Sequence, residues 1–151
     1  MKLSDHLTAK FATVELKSRT KDEAIRELAG LLRESPDMAD FDAYLADVFA
    51  REKQASTGIG RGAAIPHART DAVKDFVVAV GRAAEGIEFN SIDGKPVRVM
   101  VLMGTPTAKV NTYLKLLAHL SHLFKTNGFI DSLIDAPDGA AMVELFRAHD
   151  R

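Results

Sequence analysis

Two apolar runs limit what this chain can fold into. Phe76-Val77-Val78-Ala79-Val80 and Val97-Arg98-Val99-Met100-Val101-Leu102-Met103 place apolar side chains at successive rather than alternate positions. Successive side chains of a strand point to opposite faces, so such runs read as strands covered on both. Helices above and below the sheet supply that cover, and helical patterns flank both runs. The expected fold is α/β, a central mixed β-sheet flanked by helices on both faces, with no linker, repeat or low-complexity tract to divide it. Residues 1–151 read as a single domain.

The flanking pattern starts with Thr13-Val14-Glu15-Leu16, a short half-buried strand by its alternation. Thr20-Lys21-Asp22-Glu23 is a capping box, in which the Thr20 hydroxyl and the Glu23 carboxylate each satisfy a free backbone donor at a helix start. That helix runs to Ser35-Pro36. Asp40 caps a second, whose Phe41, Tyr44, Leu45, Val48 and Phe49 form one face and which leads into Arg51. Gly86 to Phe89 offers a shorter strand, and Asp93-Gly94-Lys95-Pro96 a turn. A third long helix is expected from Lys109 to Lys125. With Tyr113 taken as zero, Leu117, Leu120 and Phe124 lie within about 40°, which centres Tyr113 on the inward face and turns His122 away, with His119 on the flank. Asn127-Gly128 stops this helix, and two short ones follow, Ile130 to Asp135 and, after the Asp138 cap, Ala140 to Arg147.

Composition narrows the function. Lys plus Arg total 20 against 21 for Asp plus Glu, so no basic stripe invites nucleic acid. There is no cysteine, which removes disulfides, thiol catalysis and thiolate metal sites. The N-terminus turns charged before an apolar run develops and no stretch is long enough to span a bilayer, so a cytoplasmic protein without membrane insertion is expected.

Arg51 to Arg69 departs furthest from what stability alone requires. Gly58, Gly60 and Gly62 alternate, and Ala64-Ile65-Pro66 then delivers His67. Glycine permits backbone conformations closed to other residues, and proline pushes the residue before it toward extended geometry, so Ile65 is expected at a strand end, with His67 presented rather than buried along a ladder. A dinucleotide fingerprint needs a strand before the glycines and a helix after them, and neither is there. A phosphate-binding Walker loop needs Gly-Lys followed by Ser or Thr. A zinc site needs ligands near His67 that His119 and His122, turned outward, do not supply. No cofactor or metal is called for. Histidine as a phosphoryl-carrying nucleophile fits better, because neutral imidazole is nucleophilic near pH 7. The amides of Gly58, Gly60 and Gly62, the hydroxyls of Ser56 and Thr57, and the guanidinium of Arg51 or Arg69 are groups suited to phosphoryl oxygens. The plain alternative is a capped strand end beside a bulging loop.

Arg51-Glu52-Lys53, Ser56-Thr57-Gly58-Ile59-Gly60, Gly62, Ala64-Ile65-Pro66-His67 and Asp93-Gly94-Lys95-Pro96-Val97 together resemble the fructose/mannitol-type IIA domains of the bacterial phosphotransferase system, most of all their nitrogen-regulatory branch. The resemblance implies that His67 accepts a phosphoryl group from an HPr-like phosphocarrier protein. The group then passes to a IIB domain, or its presence acts on regulatory target proteins (a kinase, transporter or transcriptional regulator) in nitrogen/potassium-type regulation. It further implies that Arg51 and the Ser56 to Gly62 loop line the site. One departure matters: the family usually carries a second histidine, followed by leucine, where this chain has Tyr113-Leu114; Ala63 and Ala68 also differ from the usual residues. A phenol donates one hydrogen bond without charge at neutral pH, whereas an imidazolium offsets phosphate charge. Phosphotransfer slowed by Tyr113, a regulatory module that has lost it, and a IIA component of fructose/mannitol uptake remain alternatives, as does Tyr113 serving only as a core aromatic.

Overall fold

The computed structural model describes residues 2–149. Six strands, β1 (Ala12–Thr13), β2 (Gly58–Gly60), β3 (Ala63–Ala64), β4 (His67–Arg69), β5 (Val77–Ile87) and β6 (Val97–Thr105), form one mixed sheet. Five helices accompany it: α1 (Lys21–Gly30), α2 (Phe41–Gln54), α3 (Val110–Lys125), α4 (Phe129–Asp135) and α5 (Gly139–Ala148). The strands run β1-β5-β6-β3-β2, with β4 continuing the line of β3 along β6. β5 and β6 are antiparallel; β1 is parallel to β5, and β3 and β4 are parallel to β6.

The doubly covered strands are as expected, and their alternation sorts the core into two layers. Val78, Val80, Val99, Val101 and Met103 face α3, α4 and α5, where Leu116, Leu120, Phe124, Phe129 and Phe146 close over them. Val77, Ala79, Met100 and Leu102 face α1 and α2 and meet Ile25, Leu28, Tyr44 and Val48. Burying one such aliphatic or aromatic side chain is worth about 1.5–3 kcal/mol, so these two layers dominate the folding energy.

The local signals are realised with three adjustments. Asp40 and Asp138 cap α2 and α5 by accepting from the Ala43 and Ala141 N–H groups, at 3.1 and 2.8 Å. Thr20 caps α1 by accepting from Glu23 N–H at 3.3 Å, but only this half of the expected box forms. The strand expected at Thr13 to Leu16 is reduced to β1, although Leu16 N–H still donates to the Arg82 carbonyl at 2.9 Å. Of the separate strand expected at Gly86 to Phe89, Gly86 and Ile87 are instead the far end of β5, which continues past Val80, and Glu88 and Phe89 lie beyond it. Small and polar residues from Gly81 to Glu85 hid this continuation. At Gly81 a Cβ would stand 2.8 Å from Leu16 Cδ1, so a larger residue there would displace the Leu16 side chain.

Candidate active site

α2 does not end before Arg51 but runs on to Gln54, so Arg51 and Glu52 occupy its last turn rather than a loop. β3 and β4 are two pieces of one interrupted strand: Ala63 pairs with Val99, His67 with Met103. Pro66 sits in the gap, where its missing N–H costs no ladder bond, and its carbonyl accepts from Met103 N–H at 3.1 Å. The expectation of a histidine presented clear of the ladder is therefore corrected. His67 is the first residue of β4 and only 6% exposed, because β6 extends far enough to pair with it.

A cleft of about 470 Å³ opens over this position, lined by Arg51 from α2, His67 and Arg69 from β4, and Tyr113 from the first turn of α3. His67 Nδ1 lies 2.7 Å from the Ile65 carbonyl oxygen. A carbonyl only accepts, so Nδ1 carries the proton, and Nε2 is left with its lone pair and no hydrogen-bond partner among the described residues. Burial pushes the imidazole below its ordinary value of 6.5; the Ile65 carbonyl opposes the shift, the Arg51 charge adds to it, and the Glu52 charge opposes it. The ring is neutral at pH 7.

Tyr113 faces His67 with ring centroids 5.5 Å apart, and the Arg69 guanidinium stands 5.7 Å from the Tyr113 ring centre. Arg51 is anchored by donating to the Ala55 carbonyl at 2.8 Å. Two cations, Arg51 and Arg69, and two carboxylates, Asp47 and Asp71, thus line the cleft around a neutral nucleophilic nitrogen. Among the described residues no group of three His, Cys, Asp or Glu side chains gathers to hold a metal, and no helix is long and apolar enough to cross a membrane.

The glycine stretch is placed differently from the expectation. Gly58 to Ala64 forms a β-hairpin whose turn is Gly60-Arg61-Gly62, with φ of 93°, 58° and 84°. Gly62 lies beside Arg98 and Val99, about 13 Å along β6 from the Met103 level of His67. The amides of Gly60 and Gly62 therefore do not reach the cleft. Gly58 serves packing, since a Cβ there would meet Ser91 Oγ at 2.3 Å. The Ser56 hydroxyl donates to the Phe89 carbonyl at 2.6 Å, and the Thr57 hydroxyl donates to Glu52. Both hydroxyls are engaged in holding the hairpin.

Glu52 is the residue the sequence did not single out. It is buried at 8% exposure, ion-paired with Lys21 at 2.7 Å, and accepts from the Thr57 N–H at 3.3 Å. Its charge acts on His67. Asp47 is a second omission: it lines the cleft and accepts from the Thr70 hydroxyl at 2.6 Å.

Fold and cleft define a class of α/β domain built around one anchored histidine between helix-borne and strand-borne cations. The chain belongs to the family described as the phosphoenolpyruvate-dependent sugar phosphotransferase system, EIIA 2, whose model matches residues 5–149. It is 38% identical over 117 residues to a fructose-specific EIIA component of Haloferax volcanii, covering 78% of this chain and 76% of that one. It is 32% identical over 151 residues to the fructose-specific EIIABC component of Bacillus subtilis, covering all of this chain but only 24% of that longer protein. Among solved structures, the nitrogen regulatory protein IIA-Ntr of Neisseria meningitidis superimposes with a TM-score of 0.88 at 28% identity, covering 95% of this chain and 98% of that one. Relatives thus include both fructose and nitrogen-regulatory members.

Proposed function

We propose that the chain is a phosphohistidine carrier in which His67 Nε2 takes a phosphoryl group from an HPr-like phosphocarrier. The observation that carries this reading is the 2.7 Å contact between Nδ1 and the Ile65 carbonyl, which fixes the tautomer with the lone pair on Nε2. In the step, Nε2 forms a bond to phosphorus as the bond to the donor's own nitrogen breaks, and the donor imidazole leaves with the electron pair. The Nδ1 proton stays in place and keeps its bond to Ile65. Arg51 and Arg69 border the cleft and are placed to offset the phosphoryl charge, the main demand that such a transfer makes on a protein. Val110 and Leu114, exposed on α3 beside Tyr113, offer apolar surface for a carrier or a IIB domain to rest on.

The group then passes to a IIB domain, or its added charge changes what regulatory targets bind. We favour nitrogen/potassium-type regulation, supported by the likeness to IIA-Ntr across nearly the whole of both chains. Fructose uptake is the second reading, favoured by the 38% identity to the Haloferax component. A third, a regulatory module without transfer, is favoured by Tyr113 in place of an ionisable partner.

The test is intact-mass spectrometry at neutral pH after mixing the protein with phosphoenolpyruvate, the first enzyme of the relay and an HPr-like carrier, with His67→Ala alongside. One acid-labile phosphoryl group, absent from the variant, is expected. No gain, with the relay active on a control domain, would overturn the carrier reading in favour of a phosphorylation-independent binder.

A further inference from the structure

A second concavity collects charge at the other end of the sheet. A cavity of about 430 Å³ lies between the β2–β3 turn, the start of β6 and the junction of α3 with α4. Arg61, Lys95 and Arg98 line it, and among the described residues none of the three is ion-paired. Among the described residues Arg98 Nε is buried and has no hydrogen-bond partner. A buried donor left unsatisfied carries a desolvation cost, which a ligand able to reach it would relieve.

Arg61 is held in place against its own backbone preference. Its φ of 58° lies in the left-handed region, costly for an arginine. The Asp93 carboxylate accepts from its N–H at 3.0 Å, and its guanidinium donates to the Lys125 carbonyl at 3.1 Å. Asp93, just outside the lining, accepts from the backbone amides of Arg61 and Lys95 and stays charged, acting on Lys95. Asp131 is the one carboxylate on the lining, against the three cations Arg61, Lys95 and Arg98, so the lining itself remains cationic. Phe124 and Ile130 supply an apolar wall.

We propose that this cavity binds an organic phosphate, a phosphomonoester dianion on a small apolar or aromatic body, separately from the His67 cleft. Two guanidinium groups and one ammonium match a dianion in charge and donors, and a guanidinium binds phosphate oxygens in pairs. Arg98 stands about 16 Å along β6 from the level of His67, so the ligand does not share the phosphoryl cleft.

Titration of the ¹⁵N-labelled chain with phenyl phosphate, followed by amide shifts, tests this. Saturable shifts are expected at residues 60–62, 95–99 and 126–131. Lys95→Gln, at an exposed position that leaves the core alone, weakens binding about fivefold, and Arg98→Gln about tenfold or more. His67→Ala leaves it unchanged, which separates this site from the proposed carrier function. Phenol does not bind, and inorganic phosphate binds several-fold more weakly. The proposal is overturned by shifts that do not saturate, by shifts centred on His67, by affinity in Lys95→Gln and Arg98→Gln unchanged from that of the native chain, or by phosphate binding as tightly as phenyl phosphate.

Discussion

His67 and Tyr113 face each other across the cleft with ring centroids 5.5 Å apart and ring planes inclined by 52°. Tyr113 lines the same cleft from α3, where it offers a hydroxyl rather than an imidazole. Tyr113→His replaces a neutral donor with one that protonates as negative charge arrives. Charge-assisted hydrogen bonds are about twice as strong as neutral ones. Phosphoryl acceptance should rise about tenfold, or the phosphohistidine should persist longer, as read by quenched-flow mass spectrometry. Unchanged rate and lifetime would reduce Tyr113 to a packing aromatic.

The tautomer at His67 carries a pH signature. Its folded value lies below the ordinary 6.5, so between the two the unfolded chain holds a proton that the folded chain does not. The stability conferred by the neutral ring is complete above 6.5 and is lost as pH falls through that window, at up to about 1.4 kcal/mol per pH unit. Urea melts across that range should show this slope in the native chain and a flatter one in His67→Gln. Imidazole NMR should give a midpoint below 6.5; a midpoint at or above it would contradict the burial argument.

Glu52 joins α2 to the hairpin and to α1 through Thr57 and Lys21. Breaking a buried ion pair on one side costs about 3–5 kcal/mol, and the partial exposure of Lys21 places Glu52→Ala near the lower end. Glu52→Gln, which keeps an acceptor for Thr57, should cost about half as much. Because the Glu52 charge raises the His67 value, either variant should move the imidazole midpoint further down. Chemical denaturation and the same NMR titration check the two effects on one pair of proteins.

Gly104 lies opposite Ala68 in the β4–β6 ladder, under the ring of Tyr44. A Cβ there would stand 2.5 Å from Tyr44 Cε1 and 3.2 Å from Val77 Cγ2. Tyr44 cannot retreat without losing the bond from its hydroxyl to the Met103 carbonyl at 3.0 Å. Gly104→Ala should therefore destabilise by about 2–3 kcal/mol in urea unfolding, whereas Gly30→Ala, with nothing near its Cβ, should not.

The sheet and its two helical layers were legible because Val77 to Val80 and Val99 to Met103 report burial on both faces without reference to anything distant. Helix starts were legible for the same local reason, through Thr20, Asp40 and Asp138. What the glycines would face was not. Gly60 and Gly62 announce positive φ, but whether their amides meet His67 depends on the register of β3 against β6, which pairs residues more than thirty apart in the chain. Glu52 was overlooked because a carboxylate in the last turn of a helix reads as solvated; only the packing of α1 and the hairpin around it makes it buried. Tyr113 was placed correctly toward the interior, yet helical angle alone could not say that it stops half-buried at the cleft rather than in the core.

The break between β3 and β4 has an evolutionary consequence. The group that fixes which imidazole nitrogen is free is the carbonyl of Ile65, a main-chain atom that Pro66 leaves outside the strand ladder. No side-chain substitution deletes a carbonyl. Residue 65 can drift among apolar types while the acceptor persists, so the tautomer of His67 is inherited with the backbone path between β3 and β4.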